Sequence, residues 1–299
     1  MTEIAILTPD PADASFVDLW PGVLARLQRA LSGAGLAAVP TPWTAHVDDA
    51  GALERFPLVL PLIAWGYHLV PDRWLRACRT WGAAGIRLAN PAEVLAWNAD
   101  KRYLERFAQR GIAVPPTTWT ERVTAGLLEE VFADTGAEQL IVKPTVSGGG
   151  WKTTRLRRGE RLDDVLHDSP AGTAMIQPYL PAIETEGETS MLFFGGRLSH
   201  TVNKRPVSGE FRIQVQYGGL YTPLERPPEG ALALALQTLD AIDAPLLYAR
   251  IDTVPDASGQ WLLMEAELIE PDFYLGLDPQ HGAGFGRAVS EFIAARAIA

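Results

Sequence analysis

Apolar runs separated by Gly, Pro and Asn cut the chain into pieces of strand and helix length. Glu3 to Thr8 reads as a buried strand, followed by an amphipathic helix from about Ala14 to Ala34 that stops at Gly35, then a short strand from Leu36 to Val39. An apolar strand from Leu58 to Leu62, a helix from Pro71 to about Trp81 and a strand from Ile86 to Ala89 complete an α/β domain, residues 1–89. Asn90-Pro91 opens one helix, and Asn98-Ala-Asp100-Lys101 opens another that ends at Arg110-Gly111, giving a helical connection over 90–116. After Pro115-Pro116 come strand, helix (Ala125 to Asp134), strand (Leu140 to Lys143), glycine-rich loop, strand (Lys152 to Leu156), helix (Arg161 to Leu166) and strand (Thr173 to Gln177), the content of a small α+β lid over 117–180. Residues 181–299 read as mostly antiparallel sheet: Glu188 to Phe194, Arg197 to Lys204 across the Gly195-Gly196 turn, Arg212 to Gln216, and a hairpin between Tyr248 and Pro271. Helices are expected at Glu229 to Asp240 and Gly284 to Ala297.

The hairpin carries the clearest chemistry. A turn near Ser258 and Gly259 sets Asp252 roughly opposite Glu265, and the two-residue strand period then puts Arg250, Asp252, Glu265 and Glu267 on one face and Ile251, Met264, Ala266 and Leu268 on the other. Like charges facing across a sheet destabilise it unless a cation lies between them. Three carboxylates without His or Cys suit Mg²⁺ rather than zinc. The alternative is an exposed hairpin whose acids only keep it soluble.

Composition narrows the classes of function. The 299 residues are 47% hydrophobic and 21% charged, ordinary globular values. A net charge of −10 argues against nucleic acid or an anionic membrane as partner and favours a small molecule. One cysteine, Cys78, fits a reducing cytoplasm, and no stretch has the length and apolarity of a membrane span.

Two further segments suggest nucleotide binding. Lys143 ends an apolar strand and is followed by Ser147-Gly148-Gly149-Gly150, a loop whose backbone N–H groups can cradle phosphate while the lysine adds charge; glycine runs also serve as plain flexible loops. Met175-Ile-Gln177-Pro178-Tyr179-Leu180, with Glu184 seven residues after the glutamine, has the form of a strand entering a hinge where adenine and ribose could bind, or of a buried strand with a polar exit. The Ser147 to Thr154 stretch lacks the glycine a P-loop places before its lysine, because Trp151 stands there. Gly282-Ala-Gly284-Phe-Gly286 has no following strand for a dinucleotide-binding unit.

In their order along the chain, Asp100-Lys101, Val142-Lys143-Pro144, the glycine loop, Gln177 to Glu184, Lys204, and Arg250-Ile-Asp252 with Glu265-Ala-Glu267 resemble the ATP-grasp superfamily of carboxylate–amine ligases. The resemblance covers roughly residues 90–299, and the first domain is similar to the one preceding the grasp in D-alanine–D-alanine ligase and glutathione synthetase. It implies an α/β and α+β ATP-grasp fold with an N-terminal α/β domain, a small lid and a C-terminal antiparallel sheet. It implies ATP as cosubstrate, with Lys101, Lys143 and the Ser147-Gly148-Gly149 loop at the phosphates, Gln177 and the Tyr179–Leu180 backbone at adenine, and Glu184 at ribose. Lys204 is a further phosphate candidate, Asp252, Glu265 and Glu267 would bind Mg²⁺, and Arg250 would stand near the acyl phosphate. Glu267 and Gln177 depart from many relatives, which carry Asn and Glu there.

The reaction implied is phosphorylation of a small-molecule carboxylate followed by attack of a nitrogen, with the protein chiefly positioning and neutralising charge. The Gly-Glu-Thr-Ser-Met-Leu-Phe-Phe and Met-Glu-Ala-Glu-Leu-Ile-Glu-Pro stretches resemble bacterial stand-alone ligases, a group that includes a cyclo-ligase closing O-ureido-D-serine to D-cycloserine. An amino-acid or dipeptide ligase, a nucleotide-binding protein without ligase activity, and a kinase stay open as alternatives. Trp65-Gly66-Tyr67-His68, His200, Arg205 and Arg212 are candidates for substrate contact, with packing the commoner role for such residues.

Overall fold

The computed structural model describes residues 1–160 and 170–295. The helix expected over Arg161 to Leu166 lies outside the described residues, as does the Ala297 end expected for the last helix.

β1 (Thr2–Thr8), α1 (Trp20–Ser32), β2 (Leu36–Pro42) and β3 (Val59–Leu60) form a three-stranded parallel sheet in the order β2-β1-β3. α2 (Pro71–Ala83) follows, and the expected strand at Ile86 to Ala89 is reduced to a parallel bridge between Val59 and Leu88. Helix α1 begins six residues later than the periodicity suggests. Pro21 occupies its first turn, where a missing N–H costs nothing, while Asp10 and Asp13 hold the preceding residues in turns by accepting from Ala12 and Ser15 N–H. One face of the sheet packs on α1; the other covers the edge-to-face indoles of Trp43, Trp74 and Trp81.

α3 (Ala92–Asn98) and α4 (Tyr103–Gln109) connect to the lid sheet, built from β4 (Thr118–Thr120), α5 (Ala125–Thr135), β5 (Gln139–Pro144), β6 (Thr154–Arg157) and β7 (Ala174–Pro178) in the order β4-β7-β5-β6. Thr124 caps α5 by accepting from Leu127 N–H, and Gly136 ends it in the left-handed region at φ 64°. After α6 (Ala182–Thr185) comes the five-stranded antiparallel sheet β10-β9-β8-β11-β12, from β8 (Glu188–Phe194), β9 (Arg197–Arg205), β10 (Leu220–Leu224), β11 (Tyr248–Pro255) and β12 (Trp261–Glu267). Helix α7 (Glu229–Asp240) packs on its apolar face with α4, and α8 (Ala283–Ala294) joins it to α1.

The expected strand at Arg212 to Gln216 is absent. The Glu210 carboxylate accepts from Phe211 N–H, Arg212 N–H and the Arg212 guanidinium, a local ring that competes with sheet pairing, and the chain then tightens through a 3₁₀ turn at Val215–Tyr217. Gly219 turns so closely on itself that a Cβ there would lie 1.8 Å from the Ile213 carbonyl oxygen. The fifth strand is instead Leu220–Leu224.

Strand β12 is a sheet edge, and its outward backbone groups are satisfied by side chains of the helical connection. Asn98 donates to the Ala266 carbonyl (2.8 Å) and accepts from Leu268 N–H (2.9 Å), while the Tyr103 hydroxyl accepts from Ala266 N–H. Fully buried Asn90 does the same one step further on, bonding the backbone of Leu247, Tyr248 and Leu268. These amides fix the strand that carries Glu265 and Glu267.

Candidate active site

The β11–β12 register pairs Asp252 with Glu265 and Arg250 with Glu267, as the turn position predicts. A bulge between Asp252 and Thr253 then shifts the pairing to Thr253–Leu263. Leu263, and not Met264, therefore joins Ile251, Ala266 and Leu268 in the core, correcting the expected apolar face by one residue. Carboxylate oxygens of Asp252, Glu265 and Glu267 lie within 4.8 Å of one another.

At that distance two like charges repel by about 3–4 kcal/mol at an effective dielectric near 20. The protein itself supplies counter-charge, which amends the argument that only a bound cation relieves the strain. The Arg250 guanidinium bonds Asp252 at 3.0 to 3.2 Å and also Glu267; Lys101 Nζ lies 2.9 Å from Glu265; and Lys204 Nζ lies 2.6 Å from Glu188 and 3.3 Å from Asp252. Ser190 donates a 2.6 Å hydrogen bond to Asp252. Tyr274 covers the cluster, its ring 5.3 Å from the Arg250 guanidinium carbon.

The electrostatics follow from burial set against these partners. Burial alone would raise the Asp252 carboxyl, but Arg250 and then Lys204 hold it at about 2. Glu267 is pushed well above the usual carboxylate range by burial, with Arg250 opposing and Glu265 and Asp252 adding to the rise. Burial lowers Lys143, and Lys101 adds to that against the opposing pull of Glu265. Among the described residues the Lys143 side chain makes no hydrogen bond or ion pair, so its charge is uncommitted.

Lys101 joins three parts of the site. Its N–H donates to the Thr145 carbonyl, its Nζ to the Ser147 carbonyl at 3.0 Å, and it pairs with Glu265. The glycine loop is held from two sides: Gln216 donates to the Gly149 carbonyl (2.9 Å), and the His68 ring lies against Gly148 and 6.0 Å from the Trp151 ring. Gly149 and Gly150 have φ of 60° and 75°, conformations that side chains would strain.

At the hinge, buried Gln177 donates to the Thr117 hydroxyl (2.9 Å), and Tyr179 N–H is committed to the Gln139 carbonyl. Glu184 accepts from the Tyr179 hydroxyl at 2.6 Å and pairs with Arg155 at 3.3 Å. Lys204 is only 3% exposed and fully engaged by two acids.

The candidate substrate contacts separate. His200 is buried, its Nε2–H donating to the Phe273 carbonyl and its Nδ1 accepting from Ser199, so it pins the loop after the hairpin. Arg212 is taken by Glu210, and Arg205 bonds Asn203 and the Glu186 carbonyl. Tyr67 and His68, by contrast, do border the site: burial and then Glu270, Glu267 and Glu265 push the Tyr67 hydroxyl well above its usual range, and His68 meets the glycine loop. Sequence reasoning left Glu188, Ser190 and Glu270 without roles. For the first two the signal was present, since Glu188 and Ser190 alternate on one face of β8, opposite Lys204 and Asp252. Glu270 lies beyond the end of β12, where no strand period applies.

The fold is that of the ATP-grasp ligases. Residues 4–90 match the family model described as the N-terminal domain of D-cycloserine synthetase DcsG. The chain is 27% identical over 278 residues to the cycloserine biosynthesis protein DcsG of Streptomyces lavendulae, covering 89% of this chain and 92% of that one. The crystal structure of D-cycloserine synthetase DcsG superimposes with a TM-score of 0.79 at 24% identity, over 97% and 99% of the two chains. D-alanine–D-alanine ligase from Bacillus anthracis, solved in complex with ATP, superimposes with a TM-score of 0.69 at 16% identity, over 99% and 98%. No helix among the described residues is long and apolar enough to cross a membrane.

Proposed function

We propose that the protein is an ATP- and Mg²⁺-dependent ligase that activates a small amino-acid-like carboxylate as an acyl phosphate and closes a C–N bond within the same molecule with release of phosphate, converting O-ureido-D-serine to D-cycloserine as water removes the carbamoyl group as carbon dioxide and ammonia. The observation that carries the reading is the convergence of Asp252, Glu265 and Glu267 within 4.8 Å, next to the uncommitted Lys143. Similarity to DcsG over nine-tenths of the chain supports the choice of substrate.

The donor set fits the metal: three carboxylates supply hard oxygen ligands, with no His or Cys among them. Mg²⁺ held there would neutralise phosphate charge and orient the terminal phosphoryl group. Lys143 and Lys101 balance phosphate charge from the lid side and the Ser147–Gly149 backbone cradles it. Gln177, the Tyr179 carbonyl and the Leu180 N–H bind adenine, with Glu184 at the ribose. Arg250 stabilises negative charge on the acyl phosphate and on the oxyanion formed when nitrogen attacks. Lys204, enclosed by Glu188 and Asp252, positions Asp252 rather than touching phosphate.

Phosphate release screened against amino acids, dipeptides and O-ureido-D-serine tests the reading. Strong stimulation by O-ureido-D-serine alone, with D-cycloserine formed and hydroxamate trapped when hydroxylamine is present, is expected. Stimulation that requires two amino acids together would assign an intermolecular ligase, and ATP binding without substrate-dependent turnover would assign a nucleotide-binding protein.

A further inference from the structure

Two donors converge on one oxygen of Glu184. The Tyr179 hydroxyl donates to Oε1 at 2.6 Å and Arg155 Nη1 donates to the same atom at 3.3 Å, while Oε2 accepts no hydrogen bond among the described residues. One oxygen is engaged and the other keeps its acceptor sites open. Arg155 is itself held on two sides: its guanidinium carbon lies 5.3 Å from the centre of the Tyr179 ring and 5.0 Å from that of Phe211, in the segment joining β9 to β10. In the β5–β6 register Arg155 pairs with Ile141, and the two-residue strand period puts Ile141 on the face of Lys143, opposite Leu140 and Val142 in the lid core. Arg155 therefore belongs to the face of the lid that carries Lys143.

From this arrangement we infer that Arg155 is a positioning residue for the nucleotide: with Tyr179 it orients Glu184 so that Oε2 accepts from the ribose hydroxyls, and the site selects ribonucleotides over nucleotides that lack them. The inference rests on the nucleotide part of the reading above and is independent of the carboxylate substrate. An isolated ion pair to a half-exposed glutamate would contribute little, because both side chains lose freedom on pairing. A planar guanidinium already held between two rings has less freedom left to lose, so it keeps the carboxylate in one orientation. Arg155 acts through Glu184 and does not itself touch the nucleotide.

The test measures the affinity of the full chain for ATP and for 2′,3′-dideoxy-ATP by calorimetry, with Mg²⁺ present and no carboxylate substrate. The unsubstituted protein should prefer ATP by about tenfold or more, the range of a hydrogen bond to a charged group. Arg155→Met, which keeps an apolar stem between the rings, should reduce that preference to about threefold or less by weakening ATP and leaving the dideoxy nucleotide nearly unaffected. Tyr179→Phe should act in the same direction. In a Glu184→Ala background Arg155→Met should change the preference no further, because the two residues act through one contact. Equal weakening of both nucleotides by Arg155→Met, or a preference that survives it undiminished, would overturn the inference, as would equal affinity of the unsubstituted protein for the two nucleotides. Binding of neither nucleotide would instead remove the nucleotide reading itself, and this inference with it.

Discussion

Replacing Glu265 by Gln should lower kcat for substrate-dependent ADP release by about 10²–10³-fold while leaving the thermal midpoint within a few degrees of the unsubstituted protein. The magnitude is that of removing one preorganised electrostatic group from a site where charge develops. The fold should survive because glutamine has nearly the same shape and its carbonyl can still accept from Lys101 Nζ, now 2.9 Å from the carboxylate. Lys101 also keeps its bond to the Ser147 carbonyl. What disappears is one of the three negative charges proposed to hold the divalent cation. Steady-state ADP release and circular dichroism decide the point, and unchanged turnover would remove Glu265 from the metal site.

Arg250→Ala should be costly in a second way. Arg250 is 5% exposed and serves Asp252 and Glu267 together, so its removal leaves Asp252 with Lys204 as its cation and Glu267 with none among the described residues. Breaking such a buried pair from one side costs about 3–5 kcal/mol, and for a chain of this size each kcal/mol moves the thermal midpoint by roughly 2–4 °C. A fall of at least about 6 °C is expected, together with loss of turnover. Adding Glu267→Gln to Arg250→Ala should recover much of the stability and none of the activity, because it removes the stranded carboxylate but also a proposed metal ligand. A single substitution that melts like the unsubstituted protein would mean that Asp252 and Glu267 do not depend on Arg250.

How much of this was legible beforehand depended on whether local rules governed each segment. The hairpin register was legible because Asp256, Ser258 and Gly259 form a turn whose position fixes the pairing, and Asp252 does face Glu265. The bulge that exchanges Met264 for Leu263 was not, since a strand pattern of continuous apolar residues fits either register. Helix α7 was readable to the residue, whereas α1 was overextended because the apolar periodicity continues upstream of Pro21. At Arg212 to Gln216 the β-branched residues suggested a strand, but the side chain of Glu210 captured the backbone donors locally.

The acidic cluster shows the same division. Its membership followed from alternation on two strands, but its charge balance did not. That Arg250 bridges Asp252 and Glu267, that Lys204 is enclosed by Glu188 and Asp252, and that Lys101 spans loop and hairpin are consequences of tertiary packing across β8, β9, β11 and the helical connection. Asn90 and Asn98, whose amides satisfy the edge of β12, read in sequence only as helix-start residues. Their second function needs a strand roughly 170 positions away in the chain.

Calorimetric titration with a non-hydrolysable ATP analogue, in the presence and absence of Mg²⁺, is the most direct measurement of whether Asp252, Glu265 and Glu267 form a metal–nucleotide site. Because the two ligands are linked through shared charge, Mg²⁺ should tighten nucleotide binding by about tenfold or more in the unsubstituted protein, and the gain should vanish in Glu265→Gln. Nucleotide affinity indifferent to Mg²⁺, or a Mg²⁺ effect that persists undiminished in Glu265→Gln, would contradict the assignment.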